Sequence, residues 1–247
     1  MKIGLIYVAF GAGCDKLAAH CVSYSIKYTK LPICVLTNIP EAERDAKWKE
    51  VDNIEFKYFN LPLGDNRQIK TSLPDHTPFD YTVYLDADSI IQKEGFDEQI
   101  TTSAELGTDL LLNYFCTYPY EDKRFQNIYL RAFKQFGCAG PLEVYNGAFI
   151  GFKNNVNAKL FFGQWNKYWR EFGAQREMPP LACAINSLPL VTVLNLPLGF
   201  FCPDHRDDKA TVQHNYHEDF YQRIGCPPIE LAQARYGVDD YKFTVVD

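Results

Sequence analysis

Residues 81–89 read YTVYLDADS, so a short apolar segment runs directly into two acidic residues. Aromatic and β-branched side chains dominate Tyr81–Leu85, and this composition predicts a buried β-strand. Asp86 follows the strand, and Asp88 comes after one small residue, Ala87. In an extended chain, two residues separated by one other lie on the same side. We therefore expect both carboxylates at the carboxyl end of a strand, facing one site.

Two carboxylates at such an edge suit a divalent cation. Open α/β sheets bind ligands outside the carboxyl ends of their strands. A hard cation such as Mg²⁺ or Mn²⁺, held there by carboxylates, bridges to phosphate oxygens, and the small side chain of Ala87 leaves room for a nucleotide. The alternative is a turn in which one aspartate caps the next segment and the other faces water.

Strands and helices alternate on both sides of this segment. The patterns predict strands at Ile3–Ala9 and at residues 33–36, 54–59, 110–114, 148–152 and 191–194. They predict helices after the first strand and at residues 40–48, 67–73, 161–172 and 178–186, with an irregular tail beyond Pro203. This alternation predicts an α/β domain with a mainly parallel central sheet flanked by helices. No linker or repeat interrupts residues 1–247, so we expect a single domain.

The composition excludes several classes of protein. The net charge of −6 excludes the broad positive field that drives non-specific attachment to nucleic acid or to an anionic membrane. The first apolar run is too short to span a membrane and has no signal-cleavage site. Eight cysteines without a Cys-x-x-Cys pair predict reduced core thiols, and hence a cytoplasmic location.

Two segments carry a family resemblance. FDYTVYLDAD at residues 79–88 and YNGAFIGF at residues 145–152 resemble, in this order, the metal motif and the Asn-Gly-bearing donor strand of the GT-A nucleotide-sugar glycosyltransferases, nearest their glycogenin-like and galactosyltransferase-like branch. The resemblance spans about Lys2 to His217. It implies a Rossmann-like GT-A fold and a hexosyltransferase that uses a nucleoside-diphosphate donor, with a UDP-sugar expected. It also implies a donor-binding half at about residues 1–115 and an acceptor-binding, metal-completing half at about residues 116–247.

The resemblance further implies a metal centre of Asp86, Asp88 and a late histidine. His214 matches the family position better than His217 does, and a neutral imidazole favours Mn²⁺ over Mg²⁺. The next residues depart from the family, in which a glycine and a phosphate-contacting lysine follow the histidine. Here Glu218 and Asp219 stand nearby instead. The donor diphosphate therefore needs a different cationic partner.

Arg67 and Lys70 are the candidates for that partner. Their spacing places both on one face of a predicted helix just before the metal-bearing strand, although a solvated basic face is the alternative. Glu177 precedes a helix and is expected to bind the transferred sugar or to act as a base, the alternative being a simple helix N-terminal charge. The remaining residues expected to bind the donor are Val8, Ala9, Phe10, Asn38, Ala87, Asn146 and Gly147.

The sequence leaves other functions open. A dinucleotide-binding oxidoreductase is disfavoured, because Gly11 and Gly13 are not followed by a third glycine at Lys16. A sugar nucleotidyltransferase shares the fold and the cation, but its Gly-rich, Arg-bearing loop is missing. A third interpretation is a non-catalytic carbohydrate-binding or regulatory module. No segment identifies the acceptor as a sugar, a protein, a lipid or a modified nucleic-acid base.

Overall fold

The computed structural model describes residues 1–61, 66–118, 123–138, 142–174, 176–202, 207–214 and 219–227. The strands are β1 (Ile3–Ala9), β2 (Ile33–Thr37), β3 (Ile54–Tyr58), β4 (Tyr81–Leu85), β5 (Ser89–Ile91), β6 (Leu110–Tyr118), β7 (Leu142–Lys153), β8 (Val193–Asn195), β9 (Phe201–Cys202) and β10 (Val212–His214). The helices are α1 (Ala12–Ser25), α2 (Asn66–Lys70), α3 (Phe96–Glu105), α4 (Lys123–Phe136), α5 (Val156–Glu171), α6 (Met178–Ser187) and α7 (Phe220–Arg223).

The central sheet has the strand order β3-β2-β1-β4-β7-β6-β8 over the described residues. Its neighbouring strands are parallel, except that β7 runs antiparallel to both β4 and β6. This arrangement confirms the mainly parallel sheet predicted from the sequence. It also places the end of β4 beside the middle of β7, where the amide of Asp86 donates to the carbonyl oxygen of Ala148 at 3.0 Å.

A second, three-stranded sheet has the order β5-β10-β9. Strand β5 begins directly after Asp88, and β10 pairs antiparallel with it, so that His214 lies opposite Ser89. The prediction that the chain is irregular beyond Pro203 is therefore wrong for β10 and α7. Both elements are too short to show a hydrophobic periodicity in the sequence. The segments that pair with β10 or pack against α7 lie far away along the chain.

The other sequence predictions differ from the structure mainly at element ends. The segment 40–48, predicted as one helix, instead forms two short 3₁₀ helices, Glu41–Glu43 and Ala46–Glu50. Asp45 separates them and accepts a hydrogen bond from the amide of Lys47 at 2.8 Å, which begins the second one. The sequence prediction missed helices α3 and α4, although Tyr129, Ala132, Phe133 and Phe136 of α4 recur at helical spacing and pack in one cluster.

The core lies on both faces of the central sheet, which explains the continuous apolar runs of β1 and β4. Leu5 and Tyr7 pack on the face covered by α1. Phe10, Tyr84 and Trp165 belong to the cluster on the other face. The α5 helix supplies Trp165 from the apolar stripe that the sequence marked as core.

The described cysteine side chains are all free thiols, and Cys21, Cys34 and Cys183 are buried. Among the described residues, no helix has both the length and the apolar character required to span a membrane.

Candidate metal and donor site

Asp86 and Asp88 lie in a tight turn between β4 and β5. The amide of Ser89 donates to the carbonyl oxygen of Asp86 at 3.0 Å and closes this turn. The sequence analysis predicted an extended backbone at Asp86 and Asp88. This prediction is wrong, because the two residues lie in a turn. The turn forms because β4 ends at Leu85 in the central sheet and β5 begins at Ser89 in the other sheet. Both carboxylates nevertheless reach the same neighbour.

That neighbour is His214, at the end of β10. Its Nε2 atom lies 2.9 Å from Oδ1 of Asp88 and 3.7 Å from Oδ2 of Asp86. One ligand atom from each of the three side chains lies within 4.8 Å of the others. Two carboxylate oxygens and one imidazole nitrogen form a donor set that fits a divalent cation such as Mn²⁺. The other sequence candidate, His217, lies outside the described residues.

The proximity of the three groups changes their protonation. Burial by itself would lower the pKa of His214, but the carboxylates of Asp88 and Asp86 outweigh burial and raise this pKa to about 9. Burial would likewise raise the pKa of Asp86, but Lys70 and His214 hold it well below its usual range. At neutral pH the cation-free site therefore holds a protonated imidazole, and a divalent cation must displace that proton in order to bind the nitrogen.

We expect the cation-free protein to lose stability as the pH rises from about 6.5 to about 9. The folded-state pKa of His214 lies above its unfolded value, so its contribution is complete below the unfolded pKa and disappears above the folded one. The loss amounts to about 3 kcal/mol at most. Urea unfolding in excess chelator at both ends of this range measures it, with the His214→Gln variant as the reference. Equal pH dependence in the two proteins would contradict the assignment.

Lys70, on α2, joins this group to a third carboxylate, that of Glu177. Its buried Nζ atom donates to Oδ1 of Asp86 at 2.9 Å and to Oε1 of Glu177 at 3.3 Å. The Nε atom of Arg67 lies 3.2 Å from the other oxygen of Glu177. The structure thus brings both cationic side chains to one carboxylate, and their contact with a donor diphosphate stays a prediction. For Lys70, 5% exposed, it excludes the alternative of a solvated basic face.

Glu177 is fixed at the start of α6. Its carbonyl oxygen accepts a hydrogen bond from Nε1 of Trp165 at 2.9 Å, which ties it to α5. Burial would raise the pKa of the Glu177 carboxyl, but Lys70 and Arg67 outweigh burial and lower it. Gly147, on β7, lies against the same lysine, because a Cβ atom added there would be 3.5 Å from Nζ of Lys70.

Tyr84 is a site residue that the sequence reasoning missed. Its hydroxyl group donates a hydrogen bond to Oδ1 of Asp86, and Nζ of Lys70 lies 5.1 Å from the centre of its ring. The sequence marks Tyr84 only as part of a buried strand. The available signal was its position two residues before Asp86, because residues two apart along an extended chain lie on the same face, and Asp86 directly follows the strand.

The other residues expected to bind the donor lie at the ends of β1, β2 and β4 and in β7. The side chains of Val8, Ala9 and Phe10 are buried in the core, so they present only backbone to a ligand. Ala87 is half-buried beside both aspartates. For Val8, Ala9, Phe10 and Ala87, contact with a donor stays a prediction.

Two asparagines in this set already make hydrogen bonds within the protein. Asn38 accepts from the amide of Gly11 at 2.7 Å and donates to the carbonyl oxygen of Leu61 at 3.0 Å. Asn146 accepts from the amide of Ala148 at 2.8 Å. Both side chains therefore shape the backbone around the site, and a direct contact with the donor stays a prediction for them as well.

Several solved structures share this architecture. The galactosyltransferase LgtC, solved in complex with donor and acceptor sugar analogs, is 15% identical with a TM-score of 0.59 over 93% of this chain and 99% of that chain. Mouse xyloside xylosyltransferase 1 in its apo form is 9% identical with a TM-score of 0.58 over 86% of this chain and 97% of that chain. The bifunctional glycosyltransferase WbbM is 12% identical with a TM-score of 0.56 over 93% of this chain and 50% of that chain.

No protein-family model matches the sequence, and a search of curated proteins gives no match. At 15% identity and below, the structural likenesses establish the fold. The chain has the GT-A fold, as the two sequence motifs predicted.

Proposed function

We propose that this chain is a metal-dependent hexosyltransferase that moves a sugar from a nucleoside-diphosphate donor, a UDP-sugar, to an acceptor. The observation that carries the proposal is the convergence of Asp86, Asp88 and His214 beside Lys70 and Glu177. This group lies at the carboxyl end of β4, the edge where α/β sheets bind their ligands. The donor and acceptor sugar analogs bound to one structural neighbour support a nucleotide-sugar donor.

Asp86, Asp88 and His214 are the proposed ligands of the cation. The imidazole nitrogen in the set favours Mn²⁺ over Mg²⁺, which prefers oxygen ligands. When bound, the cation supplies positive charge for the oxygens of the donor diphosphate.

The charges around this site explain why a cation and a donor would bind together. In the cation-free site at neutral pH, the carboxylates of Asp86, Asp88 and Glu177 balance the cations Lys70, Arg67 and protonated His214. A divalent cation that displaces the imidazole proton leaves one excess positive charge. The site therefore attracts a diphosphate more strongly after the cation binds than before.

Lys70 and Arg67 are the proposed stabilisers of the leaving diphosphate. Their side chains are held in place by Asp86 and Glu177 and need little rearrangement. Preorganised cations in a site that excludes water stabilise developing negative charge far better than mobile ones in bulk water. They would take the place of the lysine that follows the metal-binding histidine in the glycosyltransferases that the two sequence motifs resemble.

Glu177 is the proposed partner of a hydroxyl group on the transferred sugar. Ion pairs with two cations lower its pKa, which makes this carboxylate a weak proton acceptor. Of the two roles considered from the sequence, orientation of the sugar agrees better with these contacts than general-base catalysis does.

The Glu177→Gln variant is expected to lower kcat about 10-fold while leaving the pH dependence of kcat unchanged, because the amide still accepts and donates hydrogen bonds but loses the ion pairs. Removal of a general base costs about 10²- to 10⁴-fold and removes one limb of the pH profile. Steady-state rates over a pH series distinguish these results. A larger loss accompanied by a changed profile would assign Glu177 as the base.

Purified protein incubated with Mn²⁺ and each common nucleotide sugar tests the proposed function. A transferase releases the nucleoside diphosphate slowly by hydrolysis even without an acceptor, and excess chelator should stop this release. Turnover of a sugar 1-phosphate with a nucleoside triphosphate would instead establish a nucleotidyltransferase. Binding without any turnover would establish a non-catalytic module. The halves assigned to donor and acceptor, and the cytoplasmic location, stay predictions.

A further inference from the structure

We propose that Tyr84 is a positioning residue that holds Asp86 so that only one of its carboxylate oxygens, Oδ2, is offered to the cation. The inference rests on the proposed metal site. It concerns a residue outside the ligand set and the orientation of one ligand within it.

The contacts of Asp86 differ between its two oxygens. Oδ1 accepts hydrogen bonds from the hydroxyl group of Tyr84 and from Nζ of Lys70, the latter at 2.9 Å. Oδ2 is the oxygen that lies 3.7 Å from Nε2 of His214. One oxygen is therefore occupied by two donors of this chain, and the other points to the remaining ligands.

The backbone around this carboxylate is fixed as well. Tyr84 is 3% exposed and lies in the middle of the sheet, where it pairs with Ile6 of β1 and Ile150 of β7. The amide of Asp86 is bonded to the carbonyl oxygen of Ala148. A hydroxyl group on so rigid a strand sets the rotation of the Asp86 side chain before any cation arrives.

This orientation has a thermodynamic consequence for cation binding. A carboxylate that rotates freely must lose that freedom when it binds a cation, whereas one that is already held loses little. Groups that hydrogen-bond a metal ligand from behind typically change metal affinity by about 10- to 100-fold when they are mutated. Lys70 remains as a second donor to Oδ1, so we expect a value near the lower end of that range for Tyr84.

The Tyr84→Phe variant isolates the hydroxyl group, because it keeps the buried ring and its contact with Lys70. The matched control is Tyr81→Phe on the same strand. The hydroxyl group of Tyr81 is buried and has no hydrogen-bond partner among the described residues, so its removal changes the same chemistry without touching Asp86.

Mn²⁺ binding to the protein without any sugar, followed by the loss of the free-ion electron paramagnetic resonance signal, provides the test. We expect the Kd of Tyr84→Phe to rise about 10-fold relative to the wild type, and that of Tyr81→Phe to stay unchanged. In assays, the Mn²⁺ concentration for half-maximal rate should rise by the same factor, with a smaller change in kcat at saturating Mn²⁺. A merely structural role would lower the unfolding temperature in chelator without changing Kd.

The outcomes separate the two proposals. If the wild type binds no Mn²⁺, the proposed metal site itself is wrong. If the wild type binds Mn²⁺ and Tyr84→Phe binds it with equal affinity, the metal site stands and the positioning role of Tyr84 is overturned. An equal loss of affinity in Tyr81→Phe would also overturn it, because the effect would then come from the removal of any buried hydroxyl group on β4.

Discussion

Replacing Asp88 by Asn is expected to reduce metal-dependent sugar transfer about 10³-fold, which corresponds to about 4 kcal/mol of lost transition-state stabilisation. The Asp88 carboxylate lies 2.9 Å from Nε2 of His214 and is only 11% exposed. A neutral amide at this position binds a divalent cation weakly and adds no negative charge. The cation and the diphosphate that depends on it would therefore both bind poorly.

Two measurements check this expectation. The first is the rate of nucleoside diphosphate release from the preferred donor at several Mn²⁺ concentrations, with Asp75→Asn as the matched control. Asp75 is an exposed residue outside the site, so its substitution removes the same charge without touching the proposed ligands. The second is thermal unfolding in chelator, to verify that Asp88→Asn folds. A folded variant with a rate near that of the wild type, or a wild type unaffected by chelator, would refute the role of Asp88.

Replacing Lys70 by Met is the second large change, and it should affect both activity and stability. Loss of one preorganised contact to developing negative charge typically costs about 2 to 4 kcal/mol, so transfer should slow by about 30-fold or more. Donor affinity should also fall. Removing the buried ammonium leaves Asp86 and Glu177 without their shared cation, which we expect to lower the free energy of unfolding by about 3 kcal/mol.

The double variant Lys70→Met/Glu177→Gln separates these two effects. It removes a negative charge together with the positive one, so we expect it to recover part of the stability lost by Lys70→Met but none of the transfer rate. Arg67→Met is the matched control, because Arg67 contacts the same carboxylate from a more exposed position, 28% against 5% for Lys70. The Arg67→Met substitution should lower the transfer rate and the free energy of unfolding clearly less than Lys70→Met does. Near-wild-type kinetics at saturating Mn²⁺ for both single variants would show that neither side chain serves the diphosphate.

The amino-acid sequence by itself determined the strand that carries the site and the class of sheet around it. Strand β4 occupies Tyr81–Leu85, as predicted, because an apolar run followed by two acidic residues is a local signal. The alternation of strands and helices predicted the mainly parallel sheet for the same reason. Lys70 and Arg67 were found from the spacing of residues within one short helix.

Only the tertiary structure decided which distant residues meet these aspartates. His214 reaches Asp88 because β10 pairs with β5. Each of these strands has three residues, which is too short for a hydrophobic alternation that would predict a strand. Lys70 and Glu177 are 107 positions apart and meet because α5 ties α6 beside α2. The sequence supplies the charged groups, but burial and chain pairing decide which charges neutralise one another, and neither is visible in local spacing.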